Sequence, residues 1–272
     1  MKDESKNVVW PAAGTADTPG VPAVVDRATW QAELDELLVR EKAHTRAGDA
    51  IAAARRRLPM VEVDPTIALI GAHGPLTLLE VFEGRRQLIA YFHMWHTGQP
   101  AEAQCEGCTF FNGQVLELSY LHSRDVTYAT FCQGPYEESV RYRDFMDWDV
   151  PWYAAEGAAD ALLAGRWFGM QVCYLRQGER VFETYWSSGR AAEAFAASYG
   201  LLDMTVYGRQ ETWEDSPTAQ WPRLAAGRSD DRAERIPAGP VAGAMVCERA
   251  DQRSVAREHG ARLEKNHAPT ST

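Results

Sequence analysis

Residues Gln87 to Phe92 form a run that is almost entirely apolar. Such a run is typical of a central β-strand whose two faces are both covered. A second buried strand is predicted at Val126–Cys132, and a hairpin at Met170–Leu175 with Arg180–Trp186. Helical segments separate these strands. The order predicts an α/β protein with a mixed sheet and helices on both faces.

A pair of cysteines lies between the two buried strands, in the sequence Cys105-Glu106-Gly107-Cys108. It is predicted to open a helix, where unpaired N–H groups and the helix dipole favour a thiolate. A second cysteine one turn later can close an intramolecular disulfide. The pattern indicates a redox motif with Cys105 as the attacking thiol and Cys108 as the resolving one. We therefore expect an oxidoreductase that needs no cofactor for dithiol exchange.

The charges near the pair predict only a modest lowering of the Cys105 pKa. Glu102 and Glu106 are acidic neighbours, and a like charge disfavours the thiolate. His93 and His96 could help if the loop before the pair folds back. The expected substrate is a small-molecule or protein thiol or disulfide.

Two other functions are open on the sequence. His93, His96, Cys105 and Cys108 together form a ligand set suited to copper or zinc, which predicts a metalloenzyme as the alternative. A non-catalytic ligand-binding module is the second alternative. Trp95 and Trp152 are candidate walls of a substrate pocket if the chain near Pro151 reaches the dithiol.

Composition narrows the partners. The formal net charge is -10, which argues against nucleic acid, because binding phosphate requires clustered Lys and Arg. No apolar stretch is long enough to span a membrane, and no signal peptide is evident near Met1. We expect a cytoplasmic protein. The five cysteines are an odd number and mostly far apart, unlike a structural disulfide framework.

Four segments are predicted along the chain. Residues 1–25 form a flexible arm, 26–60 N-terminal helices that break near Gly48, 61–210 the α/β domain and 211–272 a polar, irregular C-terminal extension. The arm and the extension are candidate contacts between the subunits of a homo-oligomer.

Several motifs between about Trp30 and Asp231 resemble one known group of proteins. It is the uncharacterised bacterial family called domain of unknown function 899, thioredoxin-like proteins described as predicted dithiol-disulfide oxidoreductases. The resemblance implies a thioredoxin-like three-layer α/β/α fold with Cys105 and Cys108 as its cysteine pair. The matching stretches are Arg40-Glu41-Lys42-Ala43, Arg57-Leu58-Pro59, Leu88-Ile89-Ala90-Tyr91, Gln104-Cys105-Glu106-Gly107-Cys108-Thr109, Tyr120-Leu121-His122-Ser123-Arg124-Asp125-Val126-Thr127, Leu201-Leu202-Asp203-Met204-Thr205 and Gly208-Arg209-Gln210-Glu211.

The sequence departs from thioredoxins at two places. Thioredoxins have a cis-proline beside the dithiol, just before a strand of the sheet, whereas Gly169 and Met170 precede the hairpin here. The loop between the strand and Cys105 is also longer, and it begins with His93 and His96. These departures leave room for a specialised enzyme or a metal site.

Overall fold

The structure is a computed structural model that describes residues 22–209. Residues 1–21 and 210–272 lie outside the described residues. Most of the predicted arm (1–25) and all of the predicted C-terminal extension (211–272) fall there. The strands are β1 (Val61–Val63), β2 (Ala68–Gly71), β3 (Gly74–Thr77), β4 (Gln87–His93), β5 (Val126–Cys132), β6 (Trp152–Ala154), β7 (Met170–Gln177) and β8 (Arg180–Ser188). The helices are α1 (Arg27–Arg55), α2 (Leu78–Val81), α3 (Glu106–Gly113), α4 (Ser119–His122), α5 (Tyr136–Phe145), α6 (Ala159–Leu163) and α7 (Ala197–Leu202).

The chain divides into two compact units. Of the described residues, 22–53 and 199–209 belong to the first unit, and 54–198 belong to the second. In the first unit, Arg209 forms an ion pair with Asp203 at 2.6 Å and lies over the ring of Tyr199. The second unit contains all the strands described above and the cysteine pair.

A single mixed sheet of eight strands forms the second unit, in the order β1-β8-β7-β4-β5-β6-β2-β3. The strands β4, β5 and β6 run parallel, and β7 is antiparallel to β4. The hairpin β7–β8 continues the sheet on one side, and the hairpin β2–β3 ends it on the other. A parallel βαβ unit that carries the cysteines and is followed by an antiparallel hairpin is the thioredoxin-like arrangement. The predicted α/β fold is confirmed.

The two faces of the sheet differ because side chains alternate along a strand. Leu88, Ala90 and Phe92 of β4 belong to a hydrophobic cluster with residues of α2 and α6. The alternate residues Tyr91 and His93 lie on the opposite face, where their rings are 6.3 Å apart. Helices α3 and α5 cover that face. The sheet is therefore the middle layer of three, and the dithiol lies above its α3 side.

Helix α1 is continuous, whereas the sequence predicted a break near Gly48. One glycine costs only about 1 kcal/mol relative to alanine inside a helix, and the neighbouring alanines and arginines are strong helix formers. Asp26 caps the helix, since its carboxylate accepts hydrogen bonds from the N–H groups of Ala28 and Thr29, each at 2.9 Å.

The helix after the cysteine pair begins earlier than the apolar pattern suggested. It runs from Glu106 to Gly113, whereas its apolar residues, which alone would predict a helix over Phe110 to Leu118, begin only at Phe110. The prediction that the pair opens a helix is confirmed. Within residues 22–209, none of the helices has the length and apolar character that crossing a membrane requires.

Candidate active site

Cys105 is the N-cap residue of α3. Its backbone is extended, and its Sγ accepts a hydrogen bond from the Cys108 N–H at 3.5 Å. The Cys105 carbonyl accepts from the Thr109 hydroxyl at 2.9 Å. The sulfur thus occupies the place of a capping oxygen, where otherwise unpaired backbone N–H groups favour a negative charge.

The pKa of Cys105 is lowered from its ordinary value of 9.0 to about 7. The largest cause is a hydrogen bond from the Cys108 thiol, and the N–H groups of Cys108 and Gly107 add to it. Burial and the charge of Glu106 act in the opposite direction. The modest lowering expected from the sequence is confirmed. The largest influences are hydrogen bonds within the motif, and neither His93 nor His96 is among them.

Cys108 is buried, at 2% exposure, while Cys105 is only half-buried. The shared proton with Cys105 and burial raise the pKa of Cys108 well above its ordinary value. Two donors act against this rise: the Tyr91 hydroxyl and the Met94 N–H, which lies 3.3 Å from Sγ. The two sulfurs therefore differ in both access and charge. Cys105 is suited to attack, and Cys108 holds a proton behind it.

The loop between β4 and Cys105 is held by side-chain amide and carboxylate groups. The buried Gln104 accepts from the His96 N–H at 2.9 Å and donates to the carbonyls of His96 and Gln99, each at 3.0 Å. Glu138 of α5 accepts from the Trp95 indole at 3.0 Å and from the Gly98 N–H at 2.7 Å. The loop between β4 and Cys105 is thus held by Gln104 from within and by Glu138 from α5.

Trp95 lies flat against the backbone at Gly134. A side chain at Gly134 would overlap the Trp95 ring, so only glycine fits there. Trp95 and Trp152 are 7% and 2% exposed. Both pack around His93 instead of lining an open cleft. Their predicted place in a substrate pocket is not tested by this packing, but the structure makes them buried neighbours of the site.

His93 is fully buried at the end of β4, and four aromatic rings besides that of Tyr91 surround it. Neither of its ring nitrogens has a side-chain hydrogen-bond partner among residues 22–209. Burial lowers the pKa of His93 from 6.5 to about 3, so the imidazole is neutral. We call this group the aromatic box. The ring centroids of its members lie 5.2–6.4 Å from that of His93, and the members are Trp95, Tyr142, Trp148 and Trp152.

The metal alternative has little support from the placement of its ligands. Within the part of the chain that the structure describes, no three His, Cys, Asp or Glu side chains are grouped so that they could hold a metal ion. His93 lies in the aromatic box, and the side chain of His96 is exposed. Cys105 and Cys108 alone are adjacent.

The segment before β7 passes close to the dithiol. The Gly169 N–H donates to the Phe92 carbonyl at 2.7 Å, and Gly169 has a φ of +87°. A Cβ at this position would come within 4.0 Å of the Met94 methyl group. Met94 in turn donates to Cys108. Gly169 and Met170, which precede the hairpin where thioredoxins have a cis-proline, thus lie close to the dithiol.

Several functional positions were not found from the sequence. Tyr91 was assigned only to a buried strand, although its period-two spacing from His93 places it on the same face as the dithiol helix. Glu138 and Gly134 act on the loop from distant elements, and no local pattern marks them. Gln104 was noted only as part of a family motif.

Known proteins resemble this chain at the level of a family and of a solved structure. A search of curated proteins found no significant match. One similar solved structure is that of a "putative Thiol:disulfide interchange protein DsbE" from Chlorobium tepidum. It shares 14% sequence identity, covers 50% of this chain and 92% of its own, and has a TM-score of 0.34. The family model described as "Bacterial protein of unknown function (DUF899)" matches residues 19–226, well over half of the chain. The chain is therefore a member of the DUF899 family of bacterial proteins.

Proposed function

We propose that this protein is a thiol–disulfide oxidoreductase that uses Cys105 and Cys108. One observation carries the proposal. Cys105 caps α3 as a half-buried sulfur with a pKa of about 7, and the buried Cys108 donates a hydrogen bond to it. A large fraction of Cys105 is then thiolate near neutral pH, and the thiolate is the form that attacks disulfides. A module that only binds ligands has no need for this difference between two neighbouring sulfurs.

The reaction follows thiol–disulfide exchange. The Cys105 thiolate attacks one sulfur of a substrate disulfide, forms a mixed disulfide and releases the first substrate thiol. Cys108 then gives up its proton and attacks Cys105 Sγ. The Cys105–Cys108 disulfide forms, and the second substrate sulfur leaves and takes up a proton. Two electrons pass from the protein to the substrate, and a dithiol reductant must return them before another cycle.

The placement of the reactive sulfurs also bears on the other predictions. A reduced dithiol suits the cytoplasm, which we propose as the location. Copper or zinc at the cysteine pair would need ligands from beyond the groups described above. Metal analysis of the reduced protein tests that alternative. About one equivalent of metal that is lost in the Cys105→Ser variant would favour the metalloenzyme over the dithiol enzyme.

The proposal is tested by a single turnover with bis(2-hydroxyethyl) disulfide, a small uncharged substrate. Reduced protein is mixed with this disulfide, quenched with acid and analysed by mass spectrometry. We expect one Cys105–Cys108 disulfide and two released thiols per chain. Cys105→Ser should form neither product, and Cys108→Ser should stop at a mixed disulfide on Cys105.

Cys173→Ser is the matched control, because Cys173 is another partly exposed free thiol, on β7. It should react like the wild-type protein. A Cys105→Ser variant that folds and still releases thiols at the wild-type rate would contradict the proposal.

A further inference from the structure

Tyr91 lies directly beneath the cysteine pair, in the centre of the sheet. It is paired with Thr130 of β5 and with Gln171 of β7, so strands fix its backbone on both sides. Its side chain is 1% exposed and points to the face that α3 covers. The ring packs edge-on against Phe195, at a centroid distance of 6.0 Å. A tyrosine held in this way cannot swing its hydroxyl away without disturbing the core.

The hydroxyl of Tyr91 has a sulfur atom as its hydrogen-bond partner. It forms a hydrogen bond with the side chain of Cys108. Tyr128, the nearest comparable residue, is equally buried on β5, but its hydroxyl has no hydrogen-bond partner among residues 22–209. The bond of Tyr91 is therefore specific to the resolving sulfur and is not a general property of tyrosines in this core.

We propose that Tyr91 is a catalytic hydrogen-bond donor to Cys108, which holds this sulfur in place and stabilises its thiolate while it attacks the mixed disulfide. The inference rests on the dithiol function proposed above. Tyr91 keeps its own proton throughout, since burial and the nearby sulfurs raise its pKa well above the ordinary value. It therefore acts as a donor and not as a base.

The bond has most effect at one step of the reaction. When Cys108 loses its proton, the neutral contact with the Tyr91 hydroxyl becomes a hydrogen bond to a charged sulfur, which is stronger. The Met94 N–H provides the second donor to the same sulfur. As the Cys105–Cys108 disulfide forms, Cys105 releases the substrate sulfur, which takes up a proton. Attack by Cys105 comes before this step and does not draw on Tyr91.

The test compares Tyr91→Phe with Tyr128→Phe. Both variants remove one buried hydroxyl from neighbouring central strands and leave the ring in place. Reduced protein is mixed with bis(2-hydroxyethyl) disulfide, and acid-quenched samples give the rates of mixed-disulfide formation and of its resolution. We expect Tyr91→Phe to slow resolution by about ten- to a hundredfold, the usual effect of a hydrogen bond to a charged group, and to leave attack within about twofold. Tyr128→Phe should change neither rate.

A second measurement does not depend on turnover. The equilibrium of the protein with reduced and oxidised dithiothreitol gives the stability of the Cys105–Cys108 disulfide. Loss of the donor removes its contact with the neutral Cys108 thiol of the reduced state, so Tyr91→Phe should shift this equilibrium about two- to tenfold toward the disulfide. Unchanged resolution and an unchanged equilibrium in a folded Tyr91→Phe protein would overturn the inference. Wild-type protein that forms no mixed disulfide would instead refute the proposed function, and the dithiothreitol equilibrium would still decide on Tyr91.

Discussion

Tyr91 and His93 lie two residues apart on the same face of β4 with their rings 6.3 Å apart, yet their polar atoms have different surroundings. Both are buried to 1% or less exposure. The Tyr91 hydroxyl bonds to the sulfur of Cys108, whereas neither ring nitrogen of His93 has a side-chain partner among residues 22–209. Because residues two apart on a strand lie on the same face of the sheet, strand alternation alone would predict similar surroundings for both side chains.

The difference separates a part of this face with polar contacts to sulfur from a part that is almost entirely aromatic. Near Tyr91, polar atoms meet two sulfurs and the N-terminus of α3, and a shared proton lowers the pKa of Cys105. Around His93, the aromatic box provides close packing and leaves the imidazole neutral. We infer that the sulfur cluster performs the chemistry and that the aromatic box supports the loop leading to it. Substitutions in the sulfur cluster and around the aromatic box test this division of roles.

The largest expected effect concerns His93 and the acid stability of the fold. Its pKa is 6.5 when exposed and about 3 in the folded protein. Between these values the unfolded chain binds a proton that the folded chain does not. His93 therefore lowers the free energy of unfolding by about 1.4 kcal/mol for each pH unit as the pH falls through this range. In His93→Phe this contribution disappears.

Denaturant unfolding at several pH values between 7 and 4 measures the effect. We expect His93→Phe to lose stability less steeply on acidification than the wild-type protein does. Reactivity of the dithiol toward disulfides should stay within about threefold. The exposed His73, which lies in the β2–β3 turn, provides the control His73→Gln. Parallel acid profiles of wild type and His93→Phe would show that His93 is not held neutral by burial.

Gly134 gives the next largest effect. Gly134→Ala would place a methyl group into the ring of Trp95, so the loop or the indole must move. We expect a loss of about 1 to 3 kcal/mol in the free energy of unfolding, as for other overpacked sites, together with a changed Trp fluorescence spectrum. Gly157→Ala is the matched control, because a Cβ there meets no atom within 4 Å. Equal stability of the two variants would refute the close contact.

The sequence predicted those parts of the molecule that depend on local pattern. The buried strands β4 and β5, the hairpin β7–β8 and the start of a helix at the cysteine pair all follow from periodicity and short motifs. Helix α1 was also located, although Gly48 does not break it. Long helices and apolar strands are the elements for which local preference and tertiary packing agree.

The surroundings of the site depended on contacts that no local pattern records. Glu138 is 43 residues from Trp95, yet its carboxylate fixes the Trp95 indole. The two histidines were grouped with the cysteines because they are close in sequence. In the structure, strand geometry turns His93 into the aromatic box, and Gln104 holds the backbone of His96. Sequence proximity therefore grouped side chains that do not form a three-ligand cluster among the described residues, and it missed Tyr91.

The smallest effect concerns the charge beside Cys105. The alkylation rate of Cys105 with iodoacetamide should follow its thiolate, with a midpoint near the pKa of about 7 and a decline below it. Cys132 should stay unreactive over this range, because burial raises its pKa to about 11. Peptide mapping by mass spectrometry assigns the modified sulfur. A midpoint at the ordinary thiol value of 9.0 would contradict the helix-cap geometry.

Glu106→Gln sharpens this measurement, because the Glu106 carboxylate raises the pKa of Cys105. Removing its charge should move the alkylation midpoint to lower pH by a fraction of a unit, since solvent screens a partly exposed carboxylate. Glu102→Gln removes an equal charge from an exposed position in the preceding turn and should have a smaller effect. A larger shift from Glu102 than from Glu106 would mean that the field of the whole loop sets the Cys105 pKa. A larger shift from Glu106 than from Glu102 would mean that groups within the motif set the Cys105 pKa. The α3 N-terminus and Cys108 already act on it there.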